Sequence, residues 1–316
     1  MRVPLPAANM TTVVGIPMGW RDGGAKLRRS LAAYPESPGG ATATPPSHRR
    51  LMPMSTPLRR AMSLTVGWLA DRRVPQFLRR PLYRGFARFT GADLSEVRGP
   101  LGEFPSLGAF FVRRLEPGAR PVDPDPKALV SPVDARVQTL CRIEKDTILQ
   151  AKGHAYSVRD LLAGVGADVE LEGGHAWTLY LGPKDYHRIH APENAHLQEV
   201  RWVPGCRYSV AARVLDRRRV LDVNERCVLR MKTERGPLLL VLVGALNVGR
   251  IRVQGVAATD SGVLPEERKV QRGEELARFE LGSTIVLLTP PGMACPLPEL
   301  VADAPVRLGQ AIGRYS

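Results

Sequence analysis

A serine with an unusual neighbour lies close to the C-terminal end of the sequence. Ser283 follows Gly282 and precedes the apolar run 285–288. Because Gly282 has no Cβ, the serine hydroxyl can approach the carbonyl of its own preceding residue and, given a base, attack it. A Gly-Ser-Thr sequence is also common in turns, so a tight turn into a buried strand is the alternative interpretation.

Two histidines three residues apart, His187 and His190, follow the predicted strand 176–181. Their spacing can direct both side chains toward one side of a turn. A His-x-x-His pair can also be half of a metal site, but it has no acidic or cysteine partner at suitable spacing, so we expect no metal. An incidental pair of loop histidines is the other alternative.

An aspartate, Asp134, comes shortly after the apolar run 128–130, at a turn set by Pro132. In such a turn an aspartate often hydrogen-bonds its own backbone. Taken with His190 and Ser283, it completes a set in which the carboxylate orients the imidazole and the imidazole takes the serine proton. The three residues therefore predict an activated nucleophile built from the ends of separate strands.

The region that carries these residues is predicted to be rich in β-strands. One short helix is predicted at 158–162. Gly, Pro, Asn and Asp separate the β-type runs, as in an antiparallel domain. The runs lie at 128–130, 147–149, 176–181, 238–243, 251–253 and 285–288. We expect an α+β protein with a single β-rich catalytic core over 101–316, preceded by amphipathic helices.

Residues 56–100 are predicted to form two basic amphipathic helices that are broken near Pro75. Apolar residues recur near helical spacing, and nine arginines accompany only three acidic residues. Such helices could bury their apolar faces in a bilayer interface, with arginines at the lipid phosphates. Packing of the same faces on the rest of the domain is the alternative.

The charge of the whole chain favours anionic partners. Its 316 residues include 45 Lys and Arg against 31 Asp and Glu, a formal net charge of +14. Aromatic residues make up 6% and no zinc-finger or RNA-binding signature occurs, so we expect a membrane surface and no nucleic acid. The longest apolar run, 237–246, is too short to span a bilayer, so membrane contact would be peripheral.

Two further features bear on the compartment. The four cysteines are scattered without a Cys-x-x-Cys pair, which fits reduced thiols in the cytoplasm. Residues 1–55 are rich in Pro, Ala, Ser, Gly and Arg, and we expect a disordered basic extension. A transit peptide and a start codon placed too early are the alternatives.

Five motifs follow one another along the chain: Ser131-Pro132-Val133-Asp134, Tyr186-His187-Arg188-Ile189-His190-Ala191-Pro192, Asn224-Glu225-Arg226, Val243-Gly244-Ala245 with Val248-Gly249, and Leu281-Gly282-Ser283-Thr284. Together and in this order they resemble the phosphatidylserine decarboxylase family, over roughly residues 57–316. One departure is Ala135, where the family usually has Gly and sometimes Ser. Alanine is small and is expected to leave the carboxylate of Asp134 in place.

The resemblance implies a self-processing enzyme with a covalent pyruvoyl cofactor. By match to the family motifs, Asp134 and His190 would activate Ser283, whose Oγ attacks the Gly282 carbonyl. Elimination would release a β chain, 1–282, and leave the pyruvoyl group at the start of the α chain, 283–316. A Schiff base between the pyruvoyl group and phosphatidylserine would then lose CO2, giving phosphatidylethanolamine, a carboxy-lyase reaction.

The resemblance also implies roles beyond the cleavage site. His187 would donate a proton to the substrate carbon, and an equilibrium between neutral and cationic imidazole near pH 7 would suit that role. The protein would be a homo-oligomer, peripheral to the cytoplasmic face of the cell membrane, acting in phospholipid biosynthesis.

Three alternatives to this function stay open from the sequence. The first is a pyruvoyl decarboxylase of a soluble amino acid. The second is a serine hydrolase that uses Asp134, His190 and Ser283 without self-cleavage, although a Gly-x-Ser-x-Gly elbow is absent. The third is a membrane-binding protein without catalytic activity.

Overall fold

The computed structural model of the chain describes residues 65, 68–149, 154–210, 219–245, 251–280 and 283–316. All of them belong to one unit, Met52–Ser316. The expected extension 1–55, the residues 281–282 and the motif residues 248–249 lie outside the described residues.

The described elements are three α-helices, one 3-10 helix and sixteen strands, besides a helical stretch at 68–71. The helices are α1 (Gln76–Thr90), the 3-10 helix (Leu101–Glu103), α2 (Leu107–Phe111) and α3 (Val158–Leu162). The strands are β1 (Ala128–Val130), β2 (Ala135–Arg142), β3 (Thr147–Leu149), β4 (Ala155–Ser157), β5 (His175–Leu181), β6 (Arg188–His190), β7 (Ala195–Val203), β8 (Arg226–Thr233), β9 (Gly236–Gly244), β10 (Ile251–Val253), β11 (Gly262–Val270), β12 (Glu275–Phe279), β13 (Ser283–Thr289), β14 (Ala294–Pro296), β15 (Pro305–Val306) and β16 (Ala311–Tyr315).

Eight strands form an antiparallel central sheet in the order β11-β7-β8-β9-β13-β5-β2-β15. Strand β13 lies inside this sheet, paired with β9 and β5, and all of its side chains are buried. Side chains alternate between the two faces of a strand, so Ile285 and Leu287 enter one apolar cluster while Val286 and Leu288 enter the other. Burial on both faces explains why this strand is a continuous apolar run.

A second, three-stranded sheet carries the histidines. Its order is β10-β12-β6, with antiparallel pairing throughout. In this sheet Arg188 of β6 lies opposite Arg278 of β12. Strand β12 ends at Phe279, four residues before Ser283, so the histidine strand is paired with the segment that leads to the serine. A third sheet, β1-β16-β14, and the hairpin β3–β4 complete the described strands.

The expectation of an α+β protein with a β-rich core is confirmed. All six predicted β-type runs are strands, with the bounds of three of them reproduced, and the predicted helix 158–162 is α3. The strands that were not predicted include β7, β8 and β11 of the central sheet, which carry many charged residues.

Helix α1 begins directly after Pro75 and ends at Gly91, whose φ of 80° and N–H bond to Ala87 O form a left-handed cap. Tyr83 is fully buried, and its ring stacks on that of Phe110 with 4.8 Å between the centroids. Its hydroxyl donates a hydrogen bond to Phe104 O at 2.9 Å. Away from these contacts α1 exposes four large apolar side chains, Phe77, Leu78, Leu82 and Phe89. No helix in the described part of the chain is long and apolar enough to cross a membrane.

Candidate active site

Ser283 is the first residue of β13 and lies opposite Leu181 of β5 and Gly244 of β9. It is fully buried, and its Oγ has no hydrogen-bond partner among the described residues. A buried hydroxyl without a partner costs about 1–3 kcal/mol. The serine therefore has a hydroxyl that is not committed to any structural contact in the described part of the chain.

The strand end opposite Ser283 is held by a buried asparagine. Asn224 Nδ2 donates to the carbonyls of Gly244 and Tyr208, both at 2.8 Å, and its Oδ1 accepts from the Tyr208 N–H at 3.0 Å. The motifs 224–226 and 243–245 thus meet beside the serine. Their shared task in this structure is to fix the backbone of the neighbouring strand.

His190 is the last residue of β6, and two backbone carbonyls fix it. Its Nδ1 donates to Gly273 O at 2.8 Å, which leaves a lone pair on Nε2, and its backbone N–H donates to Pro132 O at 2.9 Å. The Tyr186 hydroxyl lies 3.4 Å from Nε2. Burial lowers the pKa of His190 and raises that of Tyr186 to about 12, so the imidazole is neutral and the phenol protonated at neutral pH. This imidazole has the protonation state of a base.

Asp134 lies in the turn between β1 and β2, where an arginine holds its carboxylate. Arg120 donates from Nε to Oδ1 at 2.8 Å and from Nη2 to Oδ2 at 2.6 Å, and the Leu308 N–H donates to Oδ1 at 2.9 Å. Arg120 Nη2 also contacts Glu96 at 2.8 Å. Ala135, the departure from the family motif, begins β2 and is buried, with the carboxylate before it fully bonded.

The aspartate and the histidine do not form the expected hydrogen bond. Among the described residues Asp134 bonds to Arg120 and Leu308, and the carbonyl of Gly273 orients His190. The charge of Asp134 still acts through space, since it opposes the lowering of the His190 pKa by burial. In this structure the carboxylate is therefore an electrostatic neighbour of the imidazole.

His187 lies deeper than His190. Its ring is fully buried at 4.1 Å from the ring of Phe111, and Nδ1 donates to Asp185 O at 2.8 Å. Nε2 has no partner among the described residues. Burial lowers the pKa of His187 to about 3, so the expectation that it titrates near pH 7 is wrong for this structure. At neutral pH it is a neutral imidazole with a free lone pair on Nε2.

The sequence of the chain is similar to those of known proteins. A family model described as phosphatidylserine decarboxylase matches residues 107–314. The chain belongs to the phosphatidylserine decarboxylase family. It is similar to the phosphatidylserine decarboxylase proenzymes of Marinobacter nauticus (38% identity over 268 residues, 81% of this chain and 94% of the relative) and Xanthomonas campestris pv. campestris strain 8004 (39% over 284 residues, 84% and 94%). The same protein of Pseudomonas fluorescens is 39% identical over 266 residues, 80% and 92% of the two chains.

The chain is accordingly a decarboxylase, and two arginines of its site were missed from the sequence. Arg120 holds Asp134, and Arg113 donates from Nη2 to Lys184 O at 2.9 Å, beside the histidine loop. Both lie in the stretch 110–123, which reads as turn-rich, and arginine in such a stretch is ordinarily exposed. No residue-type signal distinguished these buried arginines from the exposed Arg114 next to them.

Metal ligation finds no support in the described part of this decarboxylase. No group of three or more His, Cys, Asp and Glu side chains there has the arrangement of a metal site. The four cysteines, Cys141, Cys206, Cys227 and Cys295, are all free thiols.

Proposed function

We propose that this chain is a proenzyme that cleaves itself between Gly282 and Ser283, and that it then decarboxylates phosphatidylserine with the pyruvoyl group formed from Ser283. The observation that carries the proposal is the Ser283 hydroxyl, buried and without a partner among the described residues at the first position of a central strand. The name proenzyme, borne by the relatives, also supports it.

The cleavage step uses groups of the chain itself. His190 Nε2 takes the proton of Ser283 Oγ, and Oγ bonds to the Gly282 carbonyl carbon. The bond from that carbon to the Ser283 nitrogen breaks, and the nitrogen receives the proton, so an ester replaces the amide. The negative charge of Asp134 stabilises the imidazolium formed in between.

Elimination completes the maturation. Loss of the Ser283 α-proton and of the bond from Cβ to Oγ frees the Gly282 carboxylate and leaves dehydroalanine at position 283. Water then replaces the nitrogen, which leaves as ammonia, and the residue becomes a pyruvoyl group. The α chain stays bound because β13 pairs on both sides, and its removal would leave the backbone groups of β9 and β5 without partners.

The residues around position 283 fit a pyruvoyl group, because the Ser283 Oγ that must leave with the Gly282 carboxylate is held by no hydrogen bond among the described residues. Such a group supplies an electron sink for the carbanion that forms when an amino acid loses CO2. His187 supplies a place for a proton, since its Nε2 lone pair is free while Nδ1–H is held by Asp185 O. A substrate anion beside it would favour its protonated form, from which it would deliver the proton to the substrate carbon.

The exposed side chains of helix α1 suit contact with a membrane that contains the lipid substrate. Phe77 and Phe89 are 78% and 92% exposed, and exposed arginines 80, 84 and 88 lie on the same helix. An amphipathic helix of this kind lies in the headgroup region, with its apolar side chains at the acyl boundary and its arginines at phosphates. We propose that α1 holds the enzyme peripherally on the cytoplasmic face of the cell membrane. Its arginines would be attracted to the anionic substrate phosphatidylserine more strongly than to the product, which has no net charge.

Expression of single variants tests the cleavage. Ser283→Ala, His190→Ala and Asp134→Ala should each give one uncleaved chain on a denaturing gel, whereas His187→Ala should cleave at least partly and lose decarboxylation. His196→Ala is the matched control, because that imidazole is about half exposed on β7, and it should cleave normally. Normal cleavage of Ser283→Ala would overturn the proposal.

A further inference from the structure

Arg113 is a buried cation that forms no direct ion pair in the described part of the chain, and the charges of Asp134 and Asp185 act on it only through space. The residue is 3% exposed. Nη2 donates to Lys184 O at 2.9 Å, but Nε and Nη1 are buried and have no hydrogen-bond partner among the described residues. Among the described residues, one of the three guanidinium nitrogens thus makes a hydrogen bond and two do not.

The other arginines buried nearby are neutralised. Arg188 Nη1 lies 2.6 Å from Glu275 Oε1, and Arg120 contacts both Glu96 and Asp134. Arginine keeps its charge in proteins, and a buried charge without a counter-ion is costly. Burial indeed lowers the pKa of Arg113. Packing alone would not require a charged residue here, so the free donors call for another explanation.

The position of Arg113 connects it with the site. Phe111, two residues before it, contacts the His187 ring, and Lys184, whose carbonyl it binds, lies three residues before His187. The positive charge of Arg113 is close enough to act on the His187 imidazole. The free N–H groups of Arg113 therefore lie in the surroundings of His187, which is itself fully buried.

We propose that Arg113 binds an oxyanion of the substrate, its carboxylate or its phosphate, through the free Nε and Nη1 donors. This inference rests on the proposed function, because the anion belongs to the molecule that reacts at position 283. Charge-assisted hydrogen bonds from a guanidinium suit carboxylate and phosphate equally. The two sources differ after the reaction, since the product keeps the phosphate and has lost the carboxylate.

The test compares mature Arg113→Gln and Arg113→Lys enzymes with wild type and with Arg114→Gln. Arg114 is the matched control because it is adjacent but 60% exposed. Short-chain phosphatidylserine gives KM, and equilibrium binding of short-chain phosphatidylethanolamine reports affinity without turnover. We expect Arg113→Gln to cleave itself and to raise KM roughly 10- to 100-fold, as loss of charged hydrogen bonds does, with no change for Arg114→Gln.

The binding of the product identifies the anion. If Arg113 holds the phosphate, phosphatidylethanolamine binding falls by a factor similar to the rise in KM; if it holds the carboxylate, phosphatidylethanolamine binding is unchanged. A KM for Arg113→Gln within twofold of wild type overturns the inference. Where Arg113→Gln does not fold, Arg113→Lys decides, since one ammonium cannot replace the Lys184 bond and both free donors, and an unchanged KM then overturns it. A wild-type chain that never cleaves would instead refute the proposed function.

Discussion

Several side chains of the candidate site are buried and have polar atoms without hydrogen-bond partners in the described part of the chain. Ser283 Oγ, His187 Nε2 and two nitrogens of Arg113 all have this property among the described residues. Nearly all buried polar atoms in folded proteins are hydrogen-bonded, so each of these unpaired atoms is a candidate for a group that is kept free for chemistry. Burial of apolar side chains in the central sheet offsets the free-energy cost of leaving these polar atoms without hydrogen bonds.

The buried state of His187 predicts a pH dependence of stability. Its folded pKa of about 3 lies below the ordinary 6.5, so between these values the unfolded chain binds a proton that the folded chain does not. The stabilisation is complete above pH 6.5 and is lost as the pH falls toward 3. From pH 7 to pH 5 the loss is roughly 2 kcal/mol.

Urea unfolding of the uncleaved Ser283→Ala chain checks this, with and without His187→Asn, at pH 7 and pH 5. We expect the free energy of unfolding to fall by roughly 2 kcal/mol more in the chain that keeps His187. The half-buried histidines His175 and His190 are present in both chains, so their contributions to the pH dependence cancel in the comparison. Equal losses in the two chains would contradict the burial of a neutral His187.

The residue types of the site could be predicted from the sequence, but their partners could not. Ser283, His190 and Asp134 stand out because they are polar residues near the ends of apolar runs. The group that orients His190 is the carbonyl of Gly273, and every residue has a carbonyl. A backbone carbonyl that the fold brings to a side chain leaves no signal in residue type. The sequence therefore predicted that Asp134 orients His190, where the structure has Gly273 O.

At the scale of elements, apolar runs were recognised and charged strands were not. Strands β9 and β13 are buried on both faces and so are continuous in Leu, Val and Ile. Strand β11 lies at the edge of the sheet, and its run Glu266-Glu267-Arg268-Lys269 faces mostly outward. Charged side chains on an edge strand prevent pairing with other chains. They also interrupt the apolar run by which a strand is predicted from the sequence.

Helix α1 divides its residues between the domain and the solvent, so packing on the domain accounts for part of its amphipathic pattern and membrane contact of the exposed part stays a prediction. Tyr83 and Ala87 are buried, while Phe77 and Phe89 project outward. The spacing of apolar residues could predict a helix. It could not predict which residues would dock on the ring of Phe110, because that choice depends on a partner 27 residues away from Tyr83.

The outward face of α1 predicts membrane binding. The double variant Phe77→Ser with Phe89→Ser should bind vesicles of phosphatidylserine and phosphatidylcholine roughly tenfold more weakly or worse, because each phenylalanine loses its burial in the interface. Sedimentation with the vesicles measures this. Val301→Ser, a change at another exposed apolar residue outside α1, is the control and should bind like wild type. Equal binding by the double variant would remove α1 from the membrane contact.

At the scale of the whole molecule, the proposed cleavage point lies where the chain enters β13, a strand that is buried along its whole length. The segment after it, 283–316, contributes β13 to the central sheet, β15 to its edge, and β14 and β16 to the third sheet. Two chains produced by a cut before Ser283 would therefore remain one folded molecule. The order of the motifs predicts the position of the cut. That residues 283–316 supply strands to both the central and the third sheet could be learned only from the structure.

The intact mass of the mature protein tests the account most directly. We predict two chains, and the smaller one should have the 34 residues 283–316 with no free N-terminal amine. Its mass should be lower than that of the simple hydrolysis product by one ammonia, and borohydride should reduce it. A single continuous chain, or a small chain that begins with an ordinary serine, would contradict the account.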